Sequence, residues 1–200
     1  MGARVTAAIV LAAGLSRRMG RPKLLLDLHG KPVIRHTVER VIAAGLEPVL
    51  VVVGPEHEAL RQALAGLVVR FVINPTPEAG QASSVGAGIR AVPGEATAAL
   101  IALGDQPALS LDVITRLRHA IEAPGKQIAA PRYADGLGNP VLFAAAVFSE
   151  LLTLSGDRGA RSVVEKDPGR LAIVDVAAPM PADLDTPEDY ARLNALDNSR

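Results

Sequence analysis

The stretch VLAAGLSRRMGRPKLLL, residues 10–26, joins the end of an apolar run to a cluster of positive charge. The run stops at Gly14, and four cationic side chains follow within nine residues, namely Arg17, Arg18, Arg21 and Lys23. A short apolar run that ends in glycine is typical of a buried strand entering a loop. Because ligands of open α/β sheets bind beyond the carboxyl ends of the strands, this loop is a candidate binding site.

Composition restricts the classes of protein to which the chain can belong. The 200 residues are enough for one ordinary domain, and 49% of them are hydrophobic, so a full core is available. Lys and Arg together number 21, as do Asp and Glu, and this balance argues against a general nucleic-acid binder. The absence of cysteine excludes disulfides, thiolate metal sites and cysteine nucleophiles.

The sequence also carries no signal for a membrane. No segment approaches the roughly 18 consecutive apolar residues of a membrane span. The N-terminal apolar run is short and leads directly into glycine and arginine, which is not the pattern of a signal peptide. We therefore expect a soluble cytoplasmic protein with neither a membrane nor nucleic acid as its partner.

Several other apolar runs are short and continuous rather than alternating, which is typical of strands buried on both faces of a parallel sheet. Together with the first, they span Ala7–Ala12, Val49–Val53, Val68–Ile73, Ala96–Leu103 and Leu171–Val176. Helical patterns follow Pro32, Pro55 and Ser110, so strand and helix alternate over the first 122 residues or so. This alternation predicts an α/β sandwich with right-handed crossovers.

The rhythm changes over residues 124–143, where Gly and Pro cluster around two short extended pieces. This composition predicts a small β insertion beside the main sheet. Two helices are expected after it, near residues 144–153 and 158–166, and a last helix is expected around residues 187–196.

Two familiar glycine loops can be tested against the sequence. A Walker A loop fails, because five residues rather than four separate Gly14 from Gly20, and Arg21 follows. The dinucleotide fingerprint is matched once, over residues 86–91, but these glycines lie a dozen residues beyond the strand that ends at Ile73. Because the fingerprint requires its turn immediately after the strand, NAD-dependent redox chemistry is disfavoured.

The loop after the first strand has the chemistry of a phosphate site. Residues 12–14, Ala-Ala-Gly, carry little side chain, so backbone N–H groups can face a ligand closely. Ser16 adds a hydroxyl, Arg17 and Arg18 add forked donors for phosphate oxygens, and Lys23 adds a compact point charge. The alternative is an ordinary solvated basic loop.

The whole loop resembles the signature of a known enzyme family. The pattern Leu11-Ala12-Ala13-Gly14-x-Ser16-Arg17-Arg18-Met19-Gly20-x-Pro22-Lys23 is similar to that of the nucleotidyltransferases that include the molybdenum-cofactor enzymes. Related loops occur in sugar-phosphate and methylerythritol-phosphate cytidylyltransferases. Further segments resemble the family in order, at residues 30–34, 80–85, 104–107, 139–143, 156–161 and 183–189. The segment Gly104-Asp105-Gln106-Pro107 has the form of the molybdopterin cytidylyltransferase branch.

The resemblance implies a fold and a reaction. The fold would be a single Rossmann-like, three-layer αβα sandwich of the nucleotide-diphospho-sugar transferase type, with a mainly parallel sheet and one domain over residues 1–200. The reaction would be the Mg²⁺-dependent transfer of CMP from CTP to the phosphate of molybdopterin or its metallated form, with release of pyrophosphate. Mn²⁺ is an alternative metal, and a molybdoenzyme or its maturation chaperone is an implied partner.

Three alternatives to this reaction stay open. The protein would be a guanylyltransferase on the same cofactor, a sugar- or polyol-phosphate cytidylyltransferase, or a non-catalytic nucleotide-binding maturation partner. Retention of the cations and the carboxylates together weighs against the last of these.

The resemblance assigns candidate roles to individual residues. The expected catalytic residues are Lys23, Arg18 and Asp105. The expected nucleotide-binding residues are Leu11, Ala12, Ala13, Gly14, Ser16, Arg17, Arg18, Lys23, Gly80, Ser83, Ser84 and Asp105. Asn139, Arg158 and Arg161 are the candidates for binding the acceptor, although the two arginines also fit an ordinary solvated helix face.

The expected metal ligands are Asp105 and Asp185, with Asp183 as the substitute. Asp105 follows the apolar run 96–103, so its carboxylate would face the ligand crevice, and carboxylate oxygens suit Mg²⁺. The alternative for Asp105 is a helix N-cap or turn aspartate and that for Asp185 is a helix N-cap, since helical patterns begin shortly after each of them. Ser83 and Ser84 have a similar alternative, because either would contact the base or ribose or else cap the helix that continues through Ile89.

Overall fold

The computed structural model of the protein describes residues 5–14 and 21–195. In this part of the chain the strands are β1 (Val5–Leu11), β2 (Asp27–Leu28), β3 (Lys31–Pro32), β4 (Val49–Val53), β5 (Arg70–Ile73), β6 (Ala96–Leu103), β7 (Ile128–Tyr133), β8 (Gly136–Leu137), β9 (Val141–Ala144) and β10 (Leu171–Asp175). The α-helices are α1 (Val33–Ala43), α2 (Glu58–Ala63), α3 (Gln81–Ala91), α4 (Leu111–Ala120), α5 (Phe148–Leu152), α6 (Arg161–Lys166) and α7 (Pro187–Ala195).

Eight strands of the described chain form the central sheet. Seven of them run in the order β10-β7-β9-β6-β1-β4-β5, and β8 pairs with β7. The pairings of β1 with β4 and β6, of β4 with β5, and of β7 with β10 are all parallel, whereas β9 runs antiparallel to both of its neighbours. The prediction of an α/β sandwich with a mainly parallel sheet is therefore confirmed.

Helices cover both faces of this sheet, which explains why its strands are continuously apolar. In β1, Ala8 and Val10 face the core beneath α1 and α4, whereas Ala7 and Ile9 face the core beneath α3, α5 and α6. All four of these β1 side chains are fully buried. Within the described residues, no helix is both long and apolar enough to cross a membrane.

The glycines of the dinucleotide-like pattern lie inside α3 and not in a strand–helix turn. A Cβ atom on Gly88 would lie 2.5 Å from Cγ2 of Ile9 and 3.2 Å from Cγ2 of Val52. This glycine therefore lets α3 approach the sheet closely. The structure gives Gly88 a packing role, and it removes the glycine turn that the sequence suggested for a dinucleotide fingerprint.

The predicted insertion over residues 124–143 is wrong in its placement. Strands β7 and β9 belong to the main sheet, and β9 pairs directly with β6. Their apolar side chains explain this, since Ile128 and Phe143 are fully buried in the core beneath α3. The short β8 also joins this sheet, as a hairpin partner of β7, and α5 and α6 lie within the two helical stretches predicted to follow.

A third, smaller apolar cluster fixes the segment that follows β10. Leu184 and Leu193 pack against Leu28 and Val33, and Leu184 is fully buried. The backbone N–H of Leu184 donates to the carbonyl oxygen of Asp105 at 3.2 Å. This docking carries residues 183–185 to the carboxyl end of β6.

Candidate active site

A cavity of about 550 Å³ lies beyond the carboxyl ends of β1 and β6, where ligands of open α/β sheets bind. Loops from both faces of the sheet contribute to its walls. It is lined by Leu11, Ala12, Ala13, Gly14, Lys23, Leu24, Pro77, Glu78, Gly80, Gln81, Ser84, Leu103, Asp105, Asp157, Asp183 and Asp185.

The end of β1 presents its backbone to this cavity. The N–H of Ala12 donates to the carbonyl oxygen of Val52 at 2.8 Å, and the N–H of Gly104 donates to that of Leu11 at 2.9 Å. A Cβ atom on Gly14 would have no neighbour within 4 Å among the residues that the structure describes. Ser16, Arg17 and Arg18, which were also predicted to bind nucleotide, lie outside the described residues.

Lys23 joins two distant carboxylates. It begins a single 3-10 turn, Lys23–Leu25, and the side chain of Leu24 anchors this turn in the core beneath α1. The Lys23 ammonium donates a hydrogen bond to Asp105 and another, of 2.8 Å, to Oδ1 of Asp185. Both predicted metal ligands therefore converge on one cationic group.

The charge state of Lys23 follows from its surroundings. Burial, which leaves 14% of its side chain exposed, acts to lower its pKa. The carboxylates of Asp105 and Asp185 act in the opposite direction and outweigh burial, so the pKa of Lys23 is raised overall. Lys23 is therefore a firmly protonated counter-ion at neutral pH.

The backbone around Asp105 is fixed on both sides. The buried hydroxyl of Thr37 donates to the carbonyl oxygen of Gly104 at 3.2 Å, and the segment 183–185 binds the Asp105 carbonyl as described above. The helix that follows is capped by Ser110, whose hydroxyl accepts from the N–H of Val113 at 3.4 Å. The N-cap alternative for Asp105 is therefore wrong.

The N-cap alternative for Asp185 is wrong as well. The carboxylate of Asp189 accepts from both the N–H and the hydroxyl of Thr186, each at 2.9 Å. The Thr186 hydroxyl accepts in turn from the N–H of Asp189 at 3.2 Å, in the manner of a capping box. Because these two residues satisfy the start of α7, the carboxylate of Asp185 is directed to Lys23.

Asp183 is a third carboxylate on the same wall. Its Oδ1 accepts from Nε2 of Gln106 at 2.7 Å, and Gln106 is itself buried. Burial raises the pKa of Asp183, and the negative charge of Asp105 raises it further. Gln106 thus positions the residue that the sequence offered as the substitute ligand.

The donor set at this wall fits a divalent cation. Asp105 and Asp185 place carboxylate oxygens around one small cation, which in this structure is the Lys23 ammonium, and Mg²⁺ and Mn²⁺ accept such ligands. Within residues 5–14 and 21–195, no three His, Asp or Glu side chains form a ready-made metal group. Substrate phosphate oxygens and water would therefore have to complete the coordination of the ion.

On the opposite wall, the start of α3 packs tightly against the loop between α5 and α6. Gly80 has a φ of +95°, and a Cβ atom there would lie 2.6 Å from both Oδ1 of Asp157 and the carbonyl carbon of Gly156. The N–H of Ala82 donates to the carbonyl oxygen of Gly156 at 3.0 Å. Only glycine fits at position 80, and this close contact holds Asp157 at the cavity.

The two predicted serines have different positions. Nδ2 of Asn74 donates to Oγ of Ser83 at 2.8 Å and to Oγ of Ser84 at 3.0 Å. The Ser83 hydroxyl is also within 2.8 Å of the carbonyl oxygen of Gly80, to which it donates. Ser84 lines the cavity, whereas Ser83 lies outside it and braces the turn that precedes α3.

The three residues predicted to bind the acceptor do not line the cavity. Arg158 and Arg161 both pair with the Glu165 carboxylate, at 2.7 and 2.9 Å, and all three of these side chains are exposed. Asn139 is half-buried, and its carbonyl oxygen accepts from the hydroxyl of Tyr133 at 3.1 Å. Their predicted role therefore stays a prediction.

Four residues that had no predicted role belong to the site. Glu78, Gln81 and Asp157 line the cavity, and Gln106 orients Asp183. Gln81, Gln106 and Asp157 lie inside segments already singled out by resemblance, so their position in the sequence was a usable signal. Glu78 carried none.

Comparison with known proteins identifies the family. The family model of the MobA-like NTP transferase domain matches residues 8–171 of this chain. This range includes the β1 loop, Lys23 and Asp105. The chain belongs to this family. The matched range covers most of the sheet and ends before Asp183 and Asp185.

Relatives of the MobA-like chain span nearly its whole length. The purine catabolism protein PucB of Bacillus subtilis is 31% identical, with 91% of this chain and 92% of PucB covered. The nicotine blue oxidoreductase of Paenarthrobacter nicotinovorans is 30% identical, with 92% and 94% covered. The crystal structure of Rv0371c from Mycobacterium tuberculosis in complex with manganese is 32% identical and superimposes with a TM-score of 0.80, covering 97% of this chain and all of that one.

Proposed function

We propose that the protein is a cytidylyltransferase that moves CMP from CTP to the phosphate of molybdopterin or its metallated form. A phosphate oxygen of the acceptor attacks the α-phosphorus of CTP, the bond from this phosphorus to the oxygen bridging to the β-phosphate breaks, and pyrophosphate leaves with the bonding electrons. The observation that carries the proposal is the convergence of Asp105 and Asp185 on Lys23 at the cavity wall.

The chemistry requires charge neutralisation and alignment more than an activated nucleophile, because a phosphate monoester is already nucleophilic. We assign the backbone of residues 12–14 and the side chains of Ser16, Arg17 and Arg18 to the triphosphate. Lys23 would contact the α-phosphate, where negative charge moves during transfer. Asp105 and Asp185 would hold a divalent ion, which when bound polarises the phosphoryl oxygens and offsets their charge.

The charges that line the cavity support a nucleotide that enters with its metal. Among the described lining residues there are five carboxylates, those of Glu78, Asp105, Asp157, Asp183 and Asp185, and one cationic side chain, that of Lys23. A triphosphate carries about four negative charges, so it would be repelled unless a divalent cation came with it. Manganese in the Rv0371c structure is consistent with such a requirement in a homologue.

The choice of acceptor and of base in this proposal rests on the sequence resemblance, in particular on residues 104–107. On this proposal the acceptor-binding residues are Asn139, Arg158 and Arg161, and the product passes in the cytoplasm to a molybdoenzyme or its maturation chaperone. Guanylyl transfer to the same cofactor and cytidylyl transfer to a sugar or polyol phosphate use the same machinery.

A second candidate function is a redox reaction, because one relative that spans nearly the whole chain is named nicotine blue oxidoreductase. The cavity would then hold a nicotinamide dinucleotide. Gly88 lies inside α3 and not in the glycine turn that would have supported this candidate. A non-catalytic nucleotide binder is disfavoured for a different reason, because binding alone has little need of Lys23 between two carboxylates.

Calorimetric titration with CTP, GTP, ATP, UTP and NADPH, each in the presence of Mg²⁺ or Mn²⁺, tests these candidates. We expect CTP to bind more tightly than the others, and we expect pyrophosphate to appear only when molybdopterin is added. Binding of NADPH but of no triphosphate would overturn the proposal, and so would the absence of pyrophosphate in a complete reaction mixture.

A further inference from the structure

The cavity has two chemically different walls. Lys23, Asp105 and Asp185 form the first wall, next to α1 and α7, and the neighbouring Leu24 packs into the core beneath α1. Gly80 and Asp157 belong to the second wall, where α3, α5 and α6 share the core on the other face of the sheet. A ligand that fills the cavity therefore crosses the edge of the sheet from the first wall to the second.

Among the described residues, none neutralises the carboxylate of Asp157. Within the described part of the chain it makes neither a hydrogen bond nor an ion pair, and the residue is exposed. It is nevertheless held in place, because Gly80 packs directly against it. The side chain of Gln81 packs directly on Gly159, which has a φ of +53°.

Simple electrostatics decide which part of a nucleotide can lie on this second wall. A triphosphate would be repelled by Asp157, whereas on the first wall Lys23 and the divalent ion proposed between Asp105 and Asp185 would attract it. A fixed carboxylate accepts hydrogen bonds and donates none, so its natural partner is an N–H or O–H group. The second wall is therefore suited to the nucleoside and the first to the phosphates.

We propose that Asp157 determines base specificity by accepting a hydrogen bond from an amino group on the base of the bound nucleotide. This inference rests on the proposed nucleotidyl transfer. Cytosine offers its N4 amino group, whereas uracil places the O4 carbonyl at the same position and would face the carboxylate with a second acceptor. Guanine also satisfies Asp157 through its N1–H and N2 amino groups, so the residue excludes uracil and not guanine.

Binding by the Asp157→Asn variant tests the inference. Calorimetric titrations use CTP and UTP as one pair and GTP and ITP as the other, with Mn²⁺ and without an acceptor, so that no turnover occurs. We expect the wild-type protein to bind the amino-bearing member of at least one pair about tenfold more tightly or better. We expect Asp157→Asn to reduce a CTP-to-UTP ratio to within about threefold, because an amide can also donate to the O4 carbonyl of uracil. A GTP-to-ITP ratio should fall as well, because the uncharged amide oxygen is a weaker acceptor for the N2 amino group than a carboxylate.

The Glu78→Gln variant is a matched control, because it removes a negative charge from the same cavity. It should change the affinities of all four nucleotides by a similar factor and leave both ratios as they are. A titration with dCTP separates base from ribose, since a carboxylate that binds a ribose hydroxyl would distinguish CTP from dCTP and not CTP from UTP.

Each result decides between distinct conclusions. Ratios that are unchanged in Asp157→Asn, or that are near one in the wild-type protein, overturn the role of Asp157 while leaving nucleotidyl transfer intact. If Asp157→Asn changes only the ratio of the CTP and dCTP affinities, Asp157 binds the ribose, and its role in base recognition is overturned. If no triphosphate binds to the wild-type protein, the proposed function fails together with this inference.

Discussion

Lys23 pairs with two carboxylates in the structure and, on the proposed function, would stabilise the charge of a phosphate during the reaction. An interaction that strengthens as charge moves to the transition state lowers the barrier more than it improves binding. Lys23→Ala should therefore reduce kcat by roughly 100- to 1000-fold and weaken triphosphate binding by less than about tenfold. Steady-state kinetics and calorimetry measure the two effects separately.

Lys31→Ala is a suitable comparison for this experiment. Lys31 is an exposed lysine that pairs with Glu39 at 2.7 Å on the surface, so its removal should leave kcat and binding almost unchanged. If Lys23→Ala kept the wild-type kcat, Lys23 would have no place in the catalytic machinery.

Asp105 belongs to the same cluster but has a different expected phenotype. Asp105→Asn keeps the shape of the side chain and removes one of the two anionic ligands proposed for the metal. We expect metal-dependent turnover to disappear and Mn²⁺ binding, followed by electron paramagnetic resonance, to weaken by more than about tenfold. The midpoint of thermal unfolding should move by only a few degrees, as it should for the surface variant Asp112→Asn, since a strand-end carboxylate adds little to the core.

Much of this residue-scale picture could be predicted, because functional side chains follow buried strands. Asp105 was found by its place after β6, and Asp185 by family resemblance. The direct contacts of Lys23 with both carboxylates could not be predicted, since they depend on Leu184 docking a remote segment. The sequence did not predict that Arg158 and Arg161 pair with Glu165. This contact is local, because exposed charged side chains close in sequence compete for the same partners.

At the scale of elements, the approach of α3 to the sheet depends on Gly88. A methyl group there would overlap Cγ2 of Ile9, so Gly88→Ala should lower the free energy of unfolding by about 1–3 kcal/mol. Gly86→Ala, in the same helix, would meet only the mobile end of Arg90 at 3.3 Å and should be neutral or slightly stabilising. Urea denaturation measures both variants, and equal effects would contradict the packing role of Gly88.

Glu150 in α5 ties that helix to the segment before β10. The hydrogen bond from Arg170 is the main reason that the pKa of Glu150 is lowered from 4.5 to about 2, and Lys166 contributes as well. A carboxyl group whose pKa is depressed by folding stabilises the protein above its unfolded pKa, and this contribution is lost as the pH falls through the folded value. Stability should therefore decline between about pH 4.5 and pH 2.

The variant Glu150→Gln isolates this effect. It should be about 1 kcal/mol less stable than the wild type at pH 7, and the difference should shrink as the pH falls from 4.5 towards 2. Urea unfolding at a series of pH values measures the difference. Glu165→Gln, whose arginine partners are exposed, should lose less stability at pH 7. A constant difference for Glu150→Gln would rule out the ion pair as its cause.

The strands could be predicted wherever helices cover both of their faces, because short continuous apolar runs such as 49–53 and 96–103 are typical of buried strands. The strand predicted from Val68 begins only at Arg70, and Val68 is 84% exposed. Residues 124–143 were misplaced because glycine and proline dominate their composition, whereas the buried side chains of Ile128 and Phe143 determine their position. Local composition does not show that β9 enters the sheet in reverse.

For the molecule as a whole, the active site depends on the docking of the segment that carries α7. Leu184→Ala would leave a hole in a small apolar cluster and weaken the placement of Asp185. We expect Mn²⁺ binding to weaken by about tenfold, with global stability falling by less than the roughly 2–5 kcal/mol typical of a central core leucine. Leu152→Ala, at a site where the leucine is 42% exposed, should change neither quantity much.

The late position of Asp185 in the sequence has a consequence for synthesis. In the described chain every strand of the main sheet precedes residue 183, so a growing chain can assemble the sheet before the second carboxylate has left the ribosome. Until then, Lys23 has Asp105 as its partner but not Asp185, and the docking of Leu184 is the event that closes the cluster. On the proposed function, the order of translation would thus delay metal capture until the sheet that positions Asp105 is already built.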